Sequence, residues 1–246
     1  MSIGRFDRMA DVHVFSKHWD YGELELAGSV PCPVFDICDD HFASRHGDYY
    51  RAMAARCHCV VSSVRLGERV LEETGVFPEY IPEPWELAEG HPKEPSPDPL
   101  ILWFGHSSNL GTIVPYLGTH RILLCTNARH DPKNGVVMYT QENLQQCLEI
   151  CDFVIIPQVK DWKSANRMVE SLRAGRFVVA SDIPSYRGFD QYLGDIEEGI
   201  EWVKSGPIIS RIISGRNALT SFSPEKVGES WLNFISAAVR KSSVAT

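Results

Sequence analysis

The chain has 246 residues, of which 43% are hydrophobic and 23% are charged, and these values exclude a globally disordered protein. Its 24 basic residues are outnumbered by 32 acidic ones, so the formal net charge is −8. An acidic chain without an arginine-rich tract is a poor candidate for nucleic-acid binding. Any anionic ligand therefore requires a local cluster of basic side chains.

Cysteine usage and hydropathy bear on the compartment. The seven cysteines are an odd number at irregular spacings, the start of the chain does not resemble a secretory signal, and no uncharged apolar run reaches the ~18 residues of a membrane helix. We therefore expect free thiols in a reducing cytoplasm. The triplet Cys57-His58-Cys59 lacks a second ligand pair at zinc-finger spacing, which favours a buried strand over a metal site.

Short apolar runs alternate with longer amphipathic segments along the chain, which is typical of the strands and crossover helices of a parallel sheet. The sequence predicts strands at residues 12–15, 33–38, 59–62, 100–104, 121–125, 136–139, 153–156 and 177–180. It predicts helices at residues 49–56, 64–74, 110–117, 142–150, 164–174 and 224–239. The pattern indicates an α/β protein.

One stretch interrupts this alternation, because six prolines occur between Ile81 and Pro99. Proline removes a backbone donor and favours extended backbone, so we predict a semi-rigid linker there. The linker, residues 85–99, would separate an N-terminal domain of residues 1–84 from a C-terminal domain of residues 100–246 that includes the last helix.

The segment from residue 152 to residue 182 is the most informative part of the sequence. Between residues 160 and 176 there are five basic residues and only two acidic ones. If a helix covers residues 164–174, Lys163, Arg167 and Glu170 share one face. Two cations four residues apart repel unless an anion lies between them, and the helix starts where a parallel sheet places ligands. The pattern favours an anion site over the alternative, a solvated charged face.

This segment of the sequence resembles a known family. The block KSANRMVESLRAGRFVVASDIPSY, residues 163–186, is similar to the donor-binding signature of GT-B glycosyltransferases. The resemblance implies that Lys163 and Arg167 neutralise the diphosphate of a nucleotide sugar. It also implies that Ser164 donates a hydrogen bond to that diphosphate and that Glu170 accepts hydrogen bonds from the ribose hydroxyls.

The resemblance extends to other parts of the chain. The segment LILWFGHSSNLG, residues 100–111, resembles the first strand and loop of the family's C-terminal domain, which implies donor contacts at Gly105, His106 and Ser107. Tyr139, at the end of a predicted strand, is a candidate neighbour of the nucleobase, with simple strand packing as the alternative. The segments ADVHVFSKHW and PVFDICDDHF resemble the last βα units of the family's N-terminal domain.

Three other patterns are weaker. Residues 105–109 approach a nucleophile elbow, but the last histidine, His130, comes too early for a hydrolase triad. Asp36, Asp39, Asp40 and His41 favour a strand-end turn over a metal site or a general base. No G-x-G-x-x-G motif follows a strand, which argues against a nicotinamide dehydrogenase.

Together these features predict two Rossmann-like domains in a GT-B-type arrangement, the N-terminal one shortened. The resemblance implies transfer of a sugar from a nucleotide-diphosphate sugar to an unidentified acceptor, with a retaining outcome, without a cofactor or an obligatory metal. No catalytic residue is predicted. The alternative is a non-catalytic nucleotide-sugar-binding or partner subunit, because the acceptor side looks incomplete and a second chain would then supply the rest.

Overall fold

A computed structural model describes residues 10–16, 20–128 and 135–244. Lys17, His18, Trp19 and His130, which belong to the sequence patterns above, lie outside the described residues. The chain forms two compact units. Of the described residues, the first unit contains those of 10–82, 162–164 and 225–244, and the second contains those of 83–161 and 165–224.

The first unit is built on a parallel four-stranded sheet in the order β1-β2-β3-β4. Its strands are β1 (His13–Ser16), β2 (Pro33–Ile37), β3 (His58–Val61) and β4 (Glu79–Tyr80). Its helices are α1 (Tyr21–Ala27), α2 (Gly47–Ala54), α3 (Val64–Thr74) and most of α8 (Pro224–Val244). Local signals set the bounds of α3, because the Ser63 side chain accepts from Leu66 N and Gly75 ends the helix at a left-handed φ of 72°.

Both faces of this sheet are covered, which explains its continuous apolar strands. Phe35, Ile37 and Val61 pack on one side with residues of α2 and α3 such as Met53 and Leu66. On the other side, Val34 and Val60 contact Val227, Trp231 and Phe234 of α8. The terminal helix therefore packs in the first unit, whereas from the sequence we expect it in the domain of residues 100–246.

The second unit contains a parallel six-stranded sheet in the order β10-β9-β8-β5-β6-β7. Its strands are β5 (Ile101–Gly105), β6 (Ile122–Thr126), β7 (Val136–Met138), β8 (Phe153–Ile156), β9 (Phe177–Ala180) and β10 (Tyr192–Leu193). This is the doubly wound order of a Rossmann fold, and it reverses direction between β5 and β8. The carboxyl ends of those two strands are the expected position of a ligand.

The helices of the second unit are α4 (Gln141–Ile150), α5 (Asn166–Arg173), α6 (Ile196–Val203) and α7 (Ile208–Arg216). Short 3-10 helices cover Ser107–Thr112, Val114–Tyr116, Pro184–Tyr186 and Asn217–Phe222. The prediction of one helix over residues 110–117 is wrong. Gly111 and Pro115 weaken an α-helix there, and Pro115 also removes a backbone donor, so two short 3-10 turns form instead.

The proline-rich stretch contains no helix or strand, and it lies along the second unit. Gly90 N donates to Arg173 O at 3.0 Å, and Lys93 N donates to Gly175 O at 3.2 Å. A Cβ atom on Gly175, which has a φ of 78°, would lie 2.3 Å from His91 O. This close backbone approach requires glycine at the end of α5.

The α/β fold class predicted from the sequence is confirmed. All seven cysteines are free thiols. Among the described helices, none combines the length and the apolar composition that crossing a membrane requires. Within residues 10–16, 20–128 and 135–244, no group of three or more His, Cys, Asp or Glu side chains could hold a metal ion.

Candidate functional site

A cavity of about 280 Å³ opens at the carboxyl ends of the strands in the second unit. It lies where β5, β6 and β7 end and α5 begins, next to the reversal in strand order. Its lining combines backbone, aromatic and polar groups from Phe104, Gly105, His106, Asn127, Tyr139, Asn166 and Arg167. Four of the eight predicted donor-binding residues, Gly105, His106, Tyr139 and Arg167, therefore line one cavity.

Arg167 is the basic residue of this cavity. Its Nη1 lies 3.3 Å from Phe104 O, at the end of β5, and 3.6 Å from the position that a Cβ atom on Gly105 would occupy. Within the part of the chain that the structure describes, no carboxylate pairs with Arg167. Its guanidinium therefore keeps donors that could bind an anion.

The loop after β5 is held by short polar contacts. Ser107 N donates to Asn127 Oδ1 at 2.7 Å, and Ser108 N donates to His106 Nδ1 at 3.2 Å. Ser107 itself does not line the cavity, whereas Asn127 does. Asn127 and Asn166 were not predicted from the sequence. Asn127 follows β6 and Asn166 begins α5, so the position of a polar residue at a strand end or a helix start could have indicated both.

Tyr139 follows β7 and lies at the rim with its ring partly exposed. Partial burial raises the pKa of its phenol, and the nearby negative charge of Glu86 adds to this effect. The phenol is therefore neutral and can donate a hydrogen bond, while its ring offers a flat apolar surface.

Glu170 lies on α5 and is 4% exposed. One carboxylate oxygen accepts from Glu86 N at 2.7 Å, and the other accepts from Leu87 N at 3.2 Å. Burial raises the pKa of this carboxyl, and the two backbone donors only partly offset that effect. In this structure Glu170 anchors the proline-rich stretch, and its contact with a ribose stays a prediction of the resemblance.

Lys163 and Ser164 are not among the residues that line the cavity. The helix begins at Asn166 and not at Ser164, so the prediction that Lys163 and Arg167 are neighbours on one helical face is wrong. Residues 162–164 pack with the first unit, where Ser63 Oγ donates to Trp162 O at 2.6 Å. Lys163 Nζ donates to Asp39 Oδ1 and lies 4.5 Å from the centroid of the Trp162 ring.

The aspartates after β2 hold a turn. Phe42 N donates to Asp40 Oδ1 at 3.0 Å, whereas Asp36 lies within β2 and its Oδ2 accepts from Ser16 Oγ of the neighbouring strand β1 at 2.9 Å. Burial lowers the pKa of His41, whereas the charge of Asp39 acts in the opposite direction. The preferred interpretation from the sequence, a strand-end turn, agrees with the contact of Asp40, whereas Asp36 belongs to the strand itself.

Tyr186 is a third residue that was not predicted from the sequence. It is 1% exposed, and its hydroxyl faces Arg167 and Gln158 without a hydrogen bond of normal geometry. Burial raises the pKa of this phenol, and Arg167 and Gln158 oppose the increase. The Gln158 carboxamide is fixed in turn, since its Oε1 accepts from Val159 N and Lys160 N at 3.0 and 3.2 Å.

No protein-family model matches the sequence, and no curated protein matches it significantly. Solved structures do match. Sucrose-phosphate synthase from Thermosynechococcus elongatus is 13% identical, with a TM-score of 0.67 over 92% of this chain and 74% of that protein. The pneumococcal O-GlcNAc transferase GtfA in complex with UDP and GlcNAc is 12% identical, with a TM-score of 0.57 over 88% of this chain and 54% of GtfA.

A third match is the glycosylation associate protein (Gap123) complex from Streptococcus agalactiae, which is 8% identical, with a TM-score of 0.56 over 94% of this chain and 55% of that one. At these identities the likeness shows the fold, which is that of GT-B glycosyltransferases. The chain spans little more than half the length of GtfA and of the Gap123 chain.

Proposed function

We propose that this chain transfers a sugar from a nucleotide-diphosphate sugar to an acceptor and binds the donor in the cavity of the second unit. The observation that carries the proposal is Arg167, a basic side chain beside Gly105 with no carboxylate partner among the described residues. It lies where the strand order of a Rossmann fold reverses. The GT-B fold of the matching glycosyltransferases supports the same reaction class.

The chemistry follows from charge. Breaking the bond between the sugar and the diphosphate leaves negative charge on the phosphate oxygens, and a preorganised cation stabilises that charge as it develops. The Arg167 guanidinium would serve this role, because its planar fork fits phosphate oxygens. Asn127 and Asn166 would add amide hydrogen bonds, and the Tyr139 ring would border the nucleobase.

Three parts of the proposal rest on the resemblance of residues 163–186. These are a diphosphate contact of Lys163 and Ser164, a ribose contact of Glu170, and a retaining outcome. No step in the proposal uses a metal or a cofactor. We place the reaction in the reducing cytoplasm, which the seven free cysteines support.

A second candidate is a nucleotide-sugar-binding or partner subunit without its own turnover. It is favoured by a matching structure that is a complex of a glycosylation associate protein. In this case a second chain would supply the remaining acceptor contacts. Both candidates use the same donor cavity, so donor binding alone does not separate them.

The test has two stages. First, UDP-, GDP- and ADP-sugars are compared for the rise in melting temperature that each produces, because a ligand that binds the folded state stabilises it by mass action. Second, release of the nucleoside diphosphate from the best donor is measured with the full chain. Binding with release supports the transferase, binding without release supports the partner subunit, and no stabilisation by any donor contradicts both.

A further inference from the structure

A larger cavity, of about 430 Å³, lies within the first unit. It is located at the amino ends of β3 and β4, where His58 and Glu79 begin their strands. Its other wall is a stripe of α8 that runs from Ser230 to Lys241, about 16 Å along the helix axis. In parallel sheets ligands usually bind at the carboxyl ends of the strands, which is the opposite end from this cavity. The cavity is therefore not explained by the usual ligand position of the fold.

Aromatic rings form one part of the lining. Phe77 is 82% exposed and Tyr80 is 43% exposed, while Phe234 is half-buried and packs edge-on against Trp231 at a centroid distance of 6.0 Å. An exposed phenylalanine at a cavity rim gains free energy when a ligand covers its ring. The rings therefore favour a ligand with a flat apolar face.

The polar part of the lining is mixed in character. In the part of the chain that the structure describes, Glu79, Asn233 and Lys241 make no side-chain hydrogen bond or ion pair with the protein. A carboxylate accepts, an ammonium donates, and a carboxamide does both. Hydroxyl groups match such a set because each can donate and accept.

The charges in the cavity nearly cancel. The positive charge of Lys241 is offset by Glu79, and burial together with the charge of Lys241 lowers the pKa of His58, so its imidazole is neutral at pH 7. An anion would gain little net attraction here. A purely apolar ligand would separate Glu79 and Lys241 from water without replacing their hydrogen bonds, which is costly.

We propose that this cavity binds a neutral saccharide, with an apolar sugar face on Phe77 and Tyr80 and hydroxyl groups on Glu79, Asn233 and Lys241. The site is distinct from the donor cavity and does not depend on the proposed function. A glycan held here would be a carbohydrate that the protein recognises without a nucleotide.

The test is a titration of the full chain with cellobiose and with N,N′-diacetylchitobiose, without nucleotide, followed by amide chemical shifts. We expect saturable shifts at Phe77, Tyr80 and Asn233. Phe77→Ala should weaken binding by about fivefold or more, because it removes the stacking surface, and Asn233→Ala should weaken it by a smaller factor. The matched control is Leu232→Ala, which removes a side chain that is 68% exposed on the same helix but outside the cavity.

Several results would overturn the inference. They are the absence of saturable shifts with both disaccharides, equal affinity of Phe77→Ala and the wild type, or binding of glucuronate in preference to the neutral sugars. An Arg167→Ala variant should bind the disaccharides as the wild type does. Loss of binding in that variant would place the saccharide in the donor cavity and contradict the separate site, whatever the outcome of the donor experiments.

Discussion

Arg167 and Lys163 are four residues apart in the sequence, but the regions around them differ in how the positive charge is compensated. Arg167 contacts a backbone carbonyl at the end of β5, and no described carboxylate pairs with it. Lys163 is paired with Asp39 in the first unit. The same signature therefore contains one cation that is available to an anionic ligand and one that already has a protein counter-ion.

The difference has a physical origin in non-local contacts. Residues 162–164 leave the helical path because Ser63 donates to Trp162 O and the Trp162 ring packs against the core of the first unit. Arg167 belongs to the helix, because α5 buries Met168, Val169 and Leu172 in the core of the second unit. A spacing of four residues predicts neighbouring side chains only where both residues belong to one helix. Helix α5 begins at Asn166, two residues after the predicted start, so Lys163 lies outside it.

The largest expected effect concerns Arg167. Its replacement by alanine should cost about 1.5–3 kcal/mol of nucleoside-diphosphate binding, the range of a hydrogen bond to a charged group. Calorimetric titration of UDP into wild type and variant measures this loss, and higher salt should weaken binding more in the wild type. Lys163→Ala should cost less, because Asp39 already compensates that charge.

The control is Arg187→Ala, which removes the same charge from a surface pair with Asp182 in which Arg187 is 63% exposed. An equal loss of affinity in this control would mean that overall charge, and not the cavity, attracts the nucleotide. Equal affinities of wild type and Arg167→Ala would remove Arg167 from the donor site.

The second prediction concerns the structural role of Glu170, the acidic residue of α5. Glu170→Ala leaves Glu86 N and Leu87 N without an acceptor, and each unsatisfied buried donor costs about 1–3 kcal/mol. Urea unfolding at pH 7 should show a loss of at least that size. Unchanged stability would mean that the proline-rich stretch does not depend on this anchor. Glu142→Ala, on the exposed first turn of α4, is the control.

The raised pKa of Glu170 also predicts a pH dependence. Folding favours the protonated carboxyl, so its contribution to stability is complete below the unfolded pKa of about 4.3 and is lost as the pH rises through the folded pKa. Glu170→Gln cannot ionise at this position and should lack that loss. Parallel pH profiles of unfolding free energy for the wild type and this variant would contradict the assignment.

A smaller effect is expected at Tyr186, whose hydroxyl faces Arg167. Tyr186→Phe removes the hydroxyl that faces Arg167 and should reduce UDP affinity about two- to fivefold, the effect of one modest hydrogen bond. Titration of the variant together with Arg167→Ala and the double variant isolates the coupling between the two residues. Additive effects would show that Tyr186 acts independently. Tyr192→Phe, whose hydroxyl lies 3.4 Å from Glu198, is the control.

The sequence predicted much of the fold because many of its signals are local. Strand β8 and helix α3 have the predicted bounds, since a continuous apolar run and a serine cap define them. Helix α6 was not predicted, although Asp195 caps it by accepting from Glu198 N, a signal that the sequence contains. Gly105 and Arg167, which line the candidate cavity, were named from the family resemblance and from the basic cluster in the sequence, whereas the approach of Tyr186 to Arg167 depends on packing between distant segments.

The smallest expected effect lies in the other region. Asp39→Asn removes the charge that raises the pKa of His41 and leaves Lys163 uncompensated, and both changes disfavour the imidazolium. The pKa of His41 should therefore fall below its already lowered value, as an NMR titration of its ring protons would show. The cost in stability should stay within about 1 kcal/mol, since the Lys163–Asp39 pair is partly exposed. Glu68→Gln, which breaks a surface pair with Arg65, should leave the His41 titration unchanged. A His41 pKa that does not fall in Asp39→Asn would contradict the placement of Asp39 and a retained Lys163 beside His41.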